Sequence, residues 1–262
     1  MKGKSLVIGL LLLVAVSVKA QGPRYPKRSH DAAASLSEGP VFGLKVGVDF
    51  PRLCYSNPYL STALKHDFLM SPSASLFFEK PFLKRCTFAV ELNYQQRGGA
   101  FTYDKGGVDE TYRLQAQCVS LRVPVYLYLP LSQGVQPYLF LAPDVGGVVG
   151  GDISLTHPNG GLPDQSVDIS YSNINHAYFG ALGGLGIRFN IPLSRVTIVV
   201  KLDAAVNYGL TDTYSKFEHS GTAHAINGIN NYYIDGKRYS RGLECHLSLG
   251  FSLKKIDACG WF

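Results

Sequence analysis

The stretch Val119-Ser120-Leu121-Arg122-Val123-Pro124-Val125-Tyr126-Leu127-Tyr128-Leu129 places an aliphatic residue at every odd position and a hydroxyl, a guanidinium, a proline or a phenol at every even one. In an extended chain successive side chains point to opposite faces, so the segment reads as a β-strand with one apolar and one polar face. Such a ribbon fits two settings. In a soluble β-sandwich or lipocalin-type barrel the aliphatic face turns inward, whereas in a transmembrane β-barrel it meets lipid and the polar face fills the lumen. Alternation by itself does not separate them.

The same period-two pattern predicts strands near residues 42–50, 68–80, 87–97, 118–129, 137–150, 177–191, 196–210 and 243–254. They number eight, and each meets or nearly meets the roughly 9 to 11 residues a tilted strand needs to cross a bilayer. The connections at 51–67, 98–117, 151–176 and 211–242 are long, and those at 81–86, 130–136 and 192–195 are short. Outer-membrane barrels show this inequality, with tight turns in the periplasm and long loops outside. An even strand count then puts both chain ends in the periplasm.

Further signs favour the membrane. The exterior candidates Val196, Ile198, Val200, Leu202, Ala204, Val206, Tyr208 and Leu210 form a ladder longer than an average soluble strand. Aromatics gather near strand ends, with Phe77, Phe78 and Phe82 at one turn, Tyr126 and Tyr128 at another and Trp261-Phe262 at the terminus, as interfacial girdles would. Met1-Lys2-Gly3-Lys4, the apolar run Leu6 to Val18 and Val18-Lys19-Ala20 read as a cleaved secretory signal. The expected organisation is a signal peptide at 1–20, a flexible periplasmic leader at 21–41 and an outer-membrane barrel domain at 42–262. The predicted fold is all-β: an eight-stranded antiparallel transmembrane β-barrel, located in the outer membrane of a Gram-negative bacterium.

The chain has 262 residues, of which only 17% are charged, with 28 glycines, 16 tyrosines and 14 phenylalanines. That composition suits strands, tight turns and aromatic belts. The net charge of +6 is scattered rather than gathered in a stripe, which gives no support to nucleic-acid binding. Outer-membrane lipids are the expected surroundings, and envelope or secretion-complex proteins the candidate partners.

Carrying the parity of Arg122 through the other strands sends Lys45, Asp49, Glu79, Glu91, Arg97, Asp144, Arg188, Lys201, Asp203, Glu244, His246 and Lys254 into the lumen with it. Acidic and basic members balance at six each, His246 aside. Isolated charges are costly in a low-dielectric interior, so the balance implies mutual pairing in a packed polar core. An eight-stranded barrel encloses a space that side chains can fill, which excludes a wide solute channel.

Phe42-Gly43-Leu44-Lys45-Val46-Gly47-Val48, Val90-Glu91-Leu92-Asn93-Tyr94-Gln95-Gln96-Arg97-Gly98-Gly99 and Leu121-Arg122-Val123-Pro124-Val125-Tyr126-Leu127 together resemble the PorT-like outer-membrane β-barrel family. Pro137 to Gly147, Phe179 to Ile187, Tyr208-Gly209-Leu210-Thr211-Asp212 and Leu247 to Leu253 continue the resemblance, which spans residues 42–254 in order. It implies an outer-membrane barrel and, for the best-known relatives, a supporting part in type IX protein secretion. The tail Ile256 to Phe262 departs from the pattern by running past the expected last strand.

Five cysteines, at 54, 86, 118, 245 and 259, cannot all pair within one chain. Closure makes the first and last strands neighbours, so Cys54 and Cys245 are the candidate disulfide; the competing reading makes Cys118 and Cys245 small apolar fillers. His66, His157, His176, His219 and His224 fall in outer loops without the close spacing that marks a zinc site, so neither a metal ligand set nor a cofactor is assigned.

Loops 151–176 and 211–242 are rich in Asn, Gly, Ser, His and Tyr, and Asn227 to Tyr239 could form a hairpin around Asp235-Gly236. The leading expectation is a non-enzymatic scaffold or secretion accessory. The alternatives are a loop-based adhesin or ligand receptor and a small lipid-modifying enzyme using His246 and Ser248, with no catalytic residue assigned.

Overall fold

The computed structural model describes residues 39–55, 65–104, 109–129, 135–157, 164–168, 174–193, 196–213 and 238–253. The expected signal peptide, the leader up to Glu38, residues 227–237 of the expected hairpin, Cys259 and the tail after Leu253 lie outside those residues. The elements are β1 (Val41–Tyr55), β2 (Lys65–Asp67), β3 (Ser71–Leu83), β4 (Cys86–Asp104), β5 (Asp109–Arg122), β6 (Val125–Tyr128), β7 (Val135–Thr156), β8 (Gln165–Asp168), β9 (Ala177–Pro192), β10 (Val196–Gly209) and β11 (Arg238–Leu253).

Antiparallel pairing runs from β4 through β3, β1, β11, β10, β9 and β7 to β5, and β5 returns to β4. With β5 and β6 forming one wall, this is a closed eight-stranded antiparallel barrel. Closure gives every wall a paired neighbour on each side, as backbone groups in hydrocarbon require. The seam joins the two ends of the barrel: β1 pairs β11 from Val41↔Ser252 to Tyr55↔Arg238.

The expected strand at 118–129 is split at Val123 and Pro124. Proline has no N–H for the ladder, which ends the regular pairing of β5 at Arg122. Cross-wall bonds continue around the break, where the Ala89 amide donates to the Pro124 carbonyl at 2.8 Å and the Val123 amide to the Pro143 carbonyl at 3.3 Å. Strand β3 begins at Ser71 rather than residue 68, and the two-residue turn Lys84-Arg85 joins it to β4.

The expected loop at 98–117 is largely strand, because β4 and β5 stay paired from Glu91↔Arg122 to Asp104↔Asp109. Strand β7 likewise runs to Thr156 and pairs β8. These extensions rise past the apolar exterior band. Gly98 and Gly151 have φ of 129° and 134° and face β5 at Gln115 and Ala116. A Cβ there would lie 2.0 Å from the Leu114 and Gln115 carbonyl oxygens respectively, so only glycine fits.

A register shift of β7 against β5 between Gln117 and Cys118 leaves Val149 as the extra residue of a bulge. The bulge changes the inward parity of β7. Tyr138, Phe140, Ala142 and Asp144 are buried below it, and Ile153, Leu155 and His157 above it.

At membrane level the exterior is apolar. Leu141 is 65% exposed, Leu185 61% and Leu44 58%, while the alternate positions are buried. Toward the long-loop end the polarity reverses: Leu53, Phe101, Tyr112, Leu114, Ile153, Leu155 and Ile174 pack into an apolar core inside the strand extensions. Outside them stand Arg113, Gln115 and Gln117. The surrounding solvent changes there from lipid to water, and the greasy face changes sides with it.

The expected aromatic girdle is corrected at three positions. Phe77, Tyr126 and Tyr128 are 5%, 1% and 3% exposed and point inward. Tyr126 and Tyr128 share the even parity of Arg122, and that parity, rather than their place near a strand end, sets their direction.

Candidate functional site

The lumen is built by taking every second residue from each wall, which projects side chains from all sides onto one axis. Lys45 and Asp49 come from β1, Glu79 from β3, Glu91 and Arg97 from β4, Arg122 from β5 and Asp144 from β7. Arg188 comes from β9, Lys201 and Asp203 from β10, and Glu244 and His246 from β11. All twelve are buried. Lys254 lies outside the described residues.

Toward the short-turn end, Glu79 accepts from Arg188 Nη1 at 2.6 Å, from Thr87 and Tyr128 hydroxyls at 3.1 Å each, and from Lys201 Nζ. Val41, Phe77 and Val199 form a small apolar cluster beside this layer. Lys201 Nζ also sits 4.1 Å from the ring centre of Tyr126, a cation–π contact. In the middle, Lys45 bridges both oxygens of Glu91 at 2.8 and 3.0 Å, and the Tyr126 hydroxyl donates to Glu91 at 2.8 Å.

Toward the long-loop end Arg122 is the hub. Its guanidinium grips Glu244 through Nη1 at 2.9 Å and Nη2 at 3.0 Å, Asp144 through Nε at 3.1 Å and the Gln95 carbonyl oxygen at 2.5 Å. Arg97 donates to Asp144 at 2.6 Å and to Asn207 at 3.2 Å, and stacks 3.3 Å from the Tyr178 ring centre. Asn207 in turn donates to Glu244 at 2.6 Å. Gln95, Asn207, Tyr138 and Tyr178 belong to the network although sequence reading did not single them out; their parity, shared with the charged residues, carried the signal.

His246 stands among carboxylates. Its Nδ1 is 3.1 Å from Asp203, and its Nε2 is 3.4 Å from Asp49 and 3.6 Å from Glu244. Among the described lumen residues, the cations Lys45, Arg97, Arg122, Arg188 and Lys201 face the carboxylates of Asp49, Glu79, Glu91, Asp144, Asp203 and Glu244.

Asp49, Glu244 and His246 also offer ligand atoms within 4.8 Å of one another, a set that could hold a metal ion. Glu244 is already held by Arg122 and Asn207, which competes with that use. Ser248 is buried, and its hydroxyl makes no hydrogen bond among the described residues. His246 Nε2 faces the two carboxylates, and a serine nucleophile would need that nitrogen as its base.

The candidate Cys54–Cys245 disulfide is corrected: both thiols are free. Their strands do adjoin, but Cys54 lies opposite Tyr239 and Cys245 opposite Val48, six rows apart or roughly 20 Å at the rise of a β-strand. Cys245 is exposed on the outer face, whereas Cys118 is buried in the upper apolar core, so only Cys118 fits the filler reading.

Among the described residues the loop histidines are not brought together. His66 is on β2, His157 ends the β7 extension, His176 is exposed before β9, and His219 and His224 lie outside the described residues. Burial, together with the Arg52 guanidinium nearby, holds the His66 imidazole below its ordinary pKa.

Above the ionic layers a small cavity of about 30 Å³ is lined by Arg97, Cys118, Val148, Ile174 and Tyr178 among others, and its lining is mostly apolar.

Residues 39–215 match the model of the outer membrane protein beta-barrel domain family. No curated protein matches the sequence. Among solved structures, the chain is similar to Ail, the attachment invasion locus protein of Yersinia pestis, at 13% identity and a TM-score of 0.35, over 82% of this chain and 99% of that one. Neisserial surface protein A matches at 13% identity and a TM-score of 0.35, over 79% of this chain and 96% of that one. OprG from Pseudomonas aeruginosa matches at 11% identity and a TM-score of 0.32, over 85% of this chain and 97% of that one. With its closed barrel and the family match covering more than half of its length, the chain belongs to the outer membrane protein beta-barrel domain family.

Proposed function

We propose that the barrel is a non-enzymatic anchor in the outer membrane that holds the strand extensions β4–β5 and β7–β8 outside the cell as a docking platform for an envelope partner. The carrying observation is the lumen. Its charged residues lock one another across the barrel through Arg122, Glu79 and Lys45, which supports rigid anchorage rather than passage of solute. The extensions have an apolar core of their own, so their form is fixed independently of the lipid.

The resemblance to PorT-like barrels supports a finer reading, an accessory of type IX secretion. Replacing the ribbon tip, residues 103–110, by an Asn-Gly turn should leave the barrel assembled, as judged by heat-modifiable electrophoretic mobility, and reduce the cargo released by the cell. Deleting the whole protein with no change in secreted cargo would remove the secretion component and leave the anchor.

A further inference from the structure

The geometry points to a binding site for the phosphorylated headgroup of an outer-leaflet glycolipid, formed on the outside of the barrel by the facing pair Arg52 and Arg241. Along β1 the exterior carries Phe42, Leu44 and Val46, and along β11 Phe251, Leu249, Leu247 and Leu243. The apolar run stops on both strands at the same row, where Arg52 lies directly opposite Arg241. Tyr208 of β10 lies opposite Arg241 on the other side. The Arg52 guanidinium is 5.4 Å from the ring centre of Phe68, and that of Arg241 is 3.9 Å from the ring centre of Tyr208. The row therefore reads aromatic, cation, cation, aromatic, at the upper edge of the lipid-facing band.

Directly opposed residues on antiparallel strands have Cβ atoms about 5 Å apart, and like charges so placed repel. Beside hydrocarbon the repulsion is less screened than in water. Inside the barrel each arginine meets a carboxylate: Arg97 with Asp144, Arg122 with Glu244 and Arg188 with Glu79. Outside, the contacts seen for Arg52 and Arg241 among the described residues are with rings, a thiol and a phenol rather than with a carboxylate. Their polar contacts are weak or neutral. Arg52 Nε donates to Cys54 Sγ at 3.4 Å, Arg241 Nη2 donates to the Tyr208 hydroxyl, and Arg241 Nε is buried without a partner.

An anion bridging the two guanidinium groups removes the repulsion and uses their fork geometry, which suits phosphate oxygens. The row fixes the source of that anion. Lipid phosphates lie where acyl chains give way to headgroups, and the long-loop end of the barrel faces the outer leaflet. Phe68 and Tyr208 are 51% and 42% exposed and flank the pair with flat apolar faces on which a sugar ring can rest.

The test titrates bisphosphorylated lipid A, its dephosphorylated form and inorganic phosphate into the full-length protein in detergent, with bound lipid read by native mass spectrometry. The bisphosphorylated lipid should bind the unaltered protein at least tenfold more tightly than the dephosphorylated form does. Arg52→Gln with Arg241→Gln should abolish that difference, and the double lysine variant should retain part of it. Equal binding of the two lipids to the unaltered protein, or full binding by the double glutamine variant, would overturn the site. Inorganic phosphate binding as tightly as the lipid would overturn the lipid assignment. The two-lipid comparison on the unaltered protein decides the matter even if a variant fails to assemble.

Discussion

Removing the Arg122 guanidinium would leave Glu244 and Asp144 facing each other without their shared cation, at the centre of a lumen where Arg122, Asp144 and Glu244 are at most 3% exposed. Breaking one partner out of a buried ion pair costs several kcal/mol because the remaining charge stays desolvated. We expect Arg122→Ala to lower the unfolding free energy of the barrel by about 3 kcal/mol. Arg122→Lys should cost less, since the charge stays and only the fork is lost. Urea titration in lipid vesicles, followed by heat-modifiable mobility, measures both. A loss below about 1 kcal/mol, the range of exposed pairs, would mean that water screens the lumen. Arg122 itself was legible in the sequence through its parity, but its four hydrogen bonds were not: Gln95 and Asp144 reach it through the register of the neighbouring walls β4 and β7, and Glu244 of β11 only once the barrel closes.

Strand β5 carries the membrane boundary in its own sequence. On its outer face Arg113, Gln115 and Gln117 give way to Val119 and Leu121, and on its inner face Tyr112, Leu114, Ala116 and Cys118 give way to Ser120 and Arg122. Both faces change at one level, which is what a solvent boundary demands of an element passing through it. We expect a tryptophan placed at Leu121, in a Trp261→Phe background, to be strongly quenched by brominated lipid, and one at Arg113 to be quenched little. Equal quenching at the two positions would move the boundary and undo the reading of 109–117 as an extracellular extension. The expected connection at 98–117 included that segment, although Tyr112, Leu114 and Ala116 alternate there with Arg113, Gln115 and Gln117; a polar outer face does not distinguish a loop from a strand in water. It also missed two irregularities, the break at Pro124 and the bulge at Val149, whose effects depend on how neighbouring walls pair around them.

For the molecule as a whole, the filled lumen implies that ions do not pass. Reconstituted into planar bilayers, the barrel should show no sustained open conductance. Steady porin-like channels would contradict the packed interior and with it the anchor reading. Periodicity, loop lengths and the residue types on alternate positions determined the class of fold, the number of walls and the inward set of charges, because each depends on side-chain direction along a single strand. Tertiary structure alone decided which charges pair, that Cys54 and Cys245 stand rows apart, and that Arg52 meets Arg241. Those are matters of register between strands distant in sequence, and register is set when backbone hydrogen bonds close the sheet on itself.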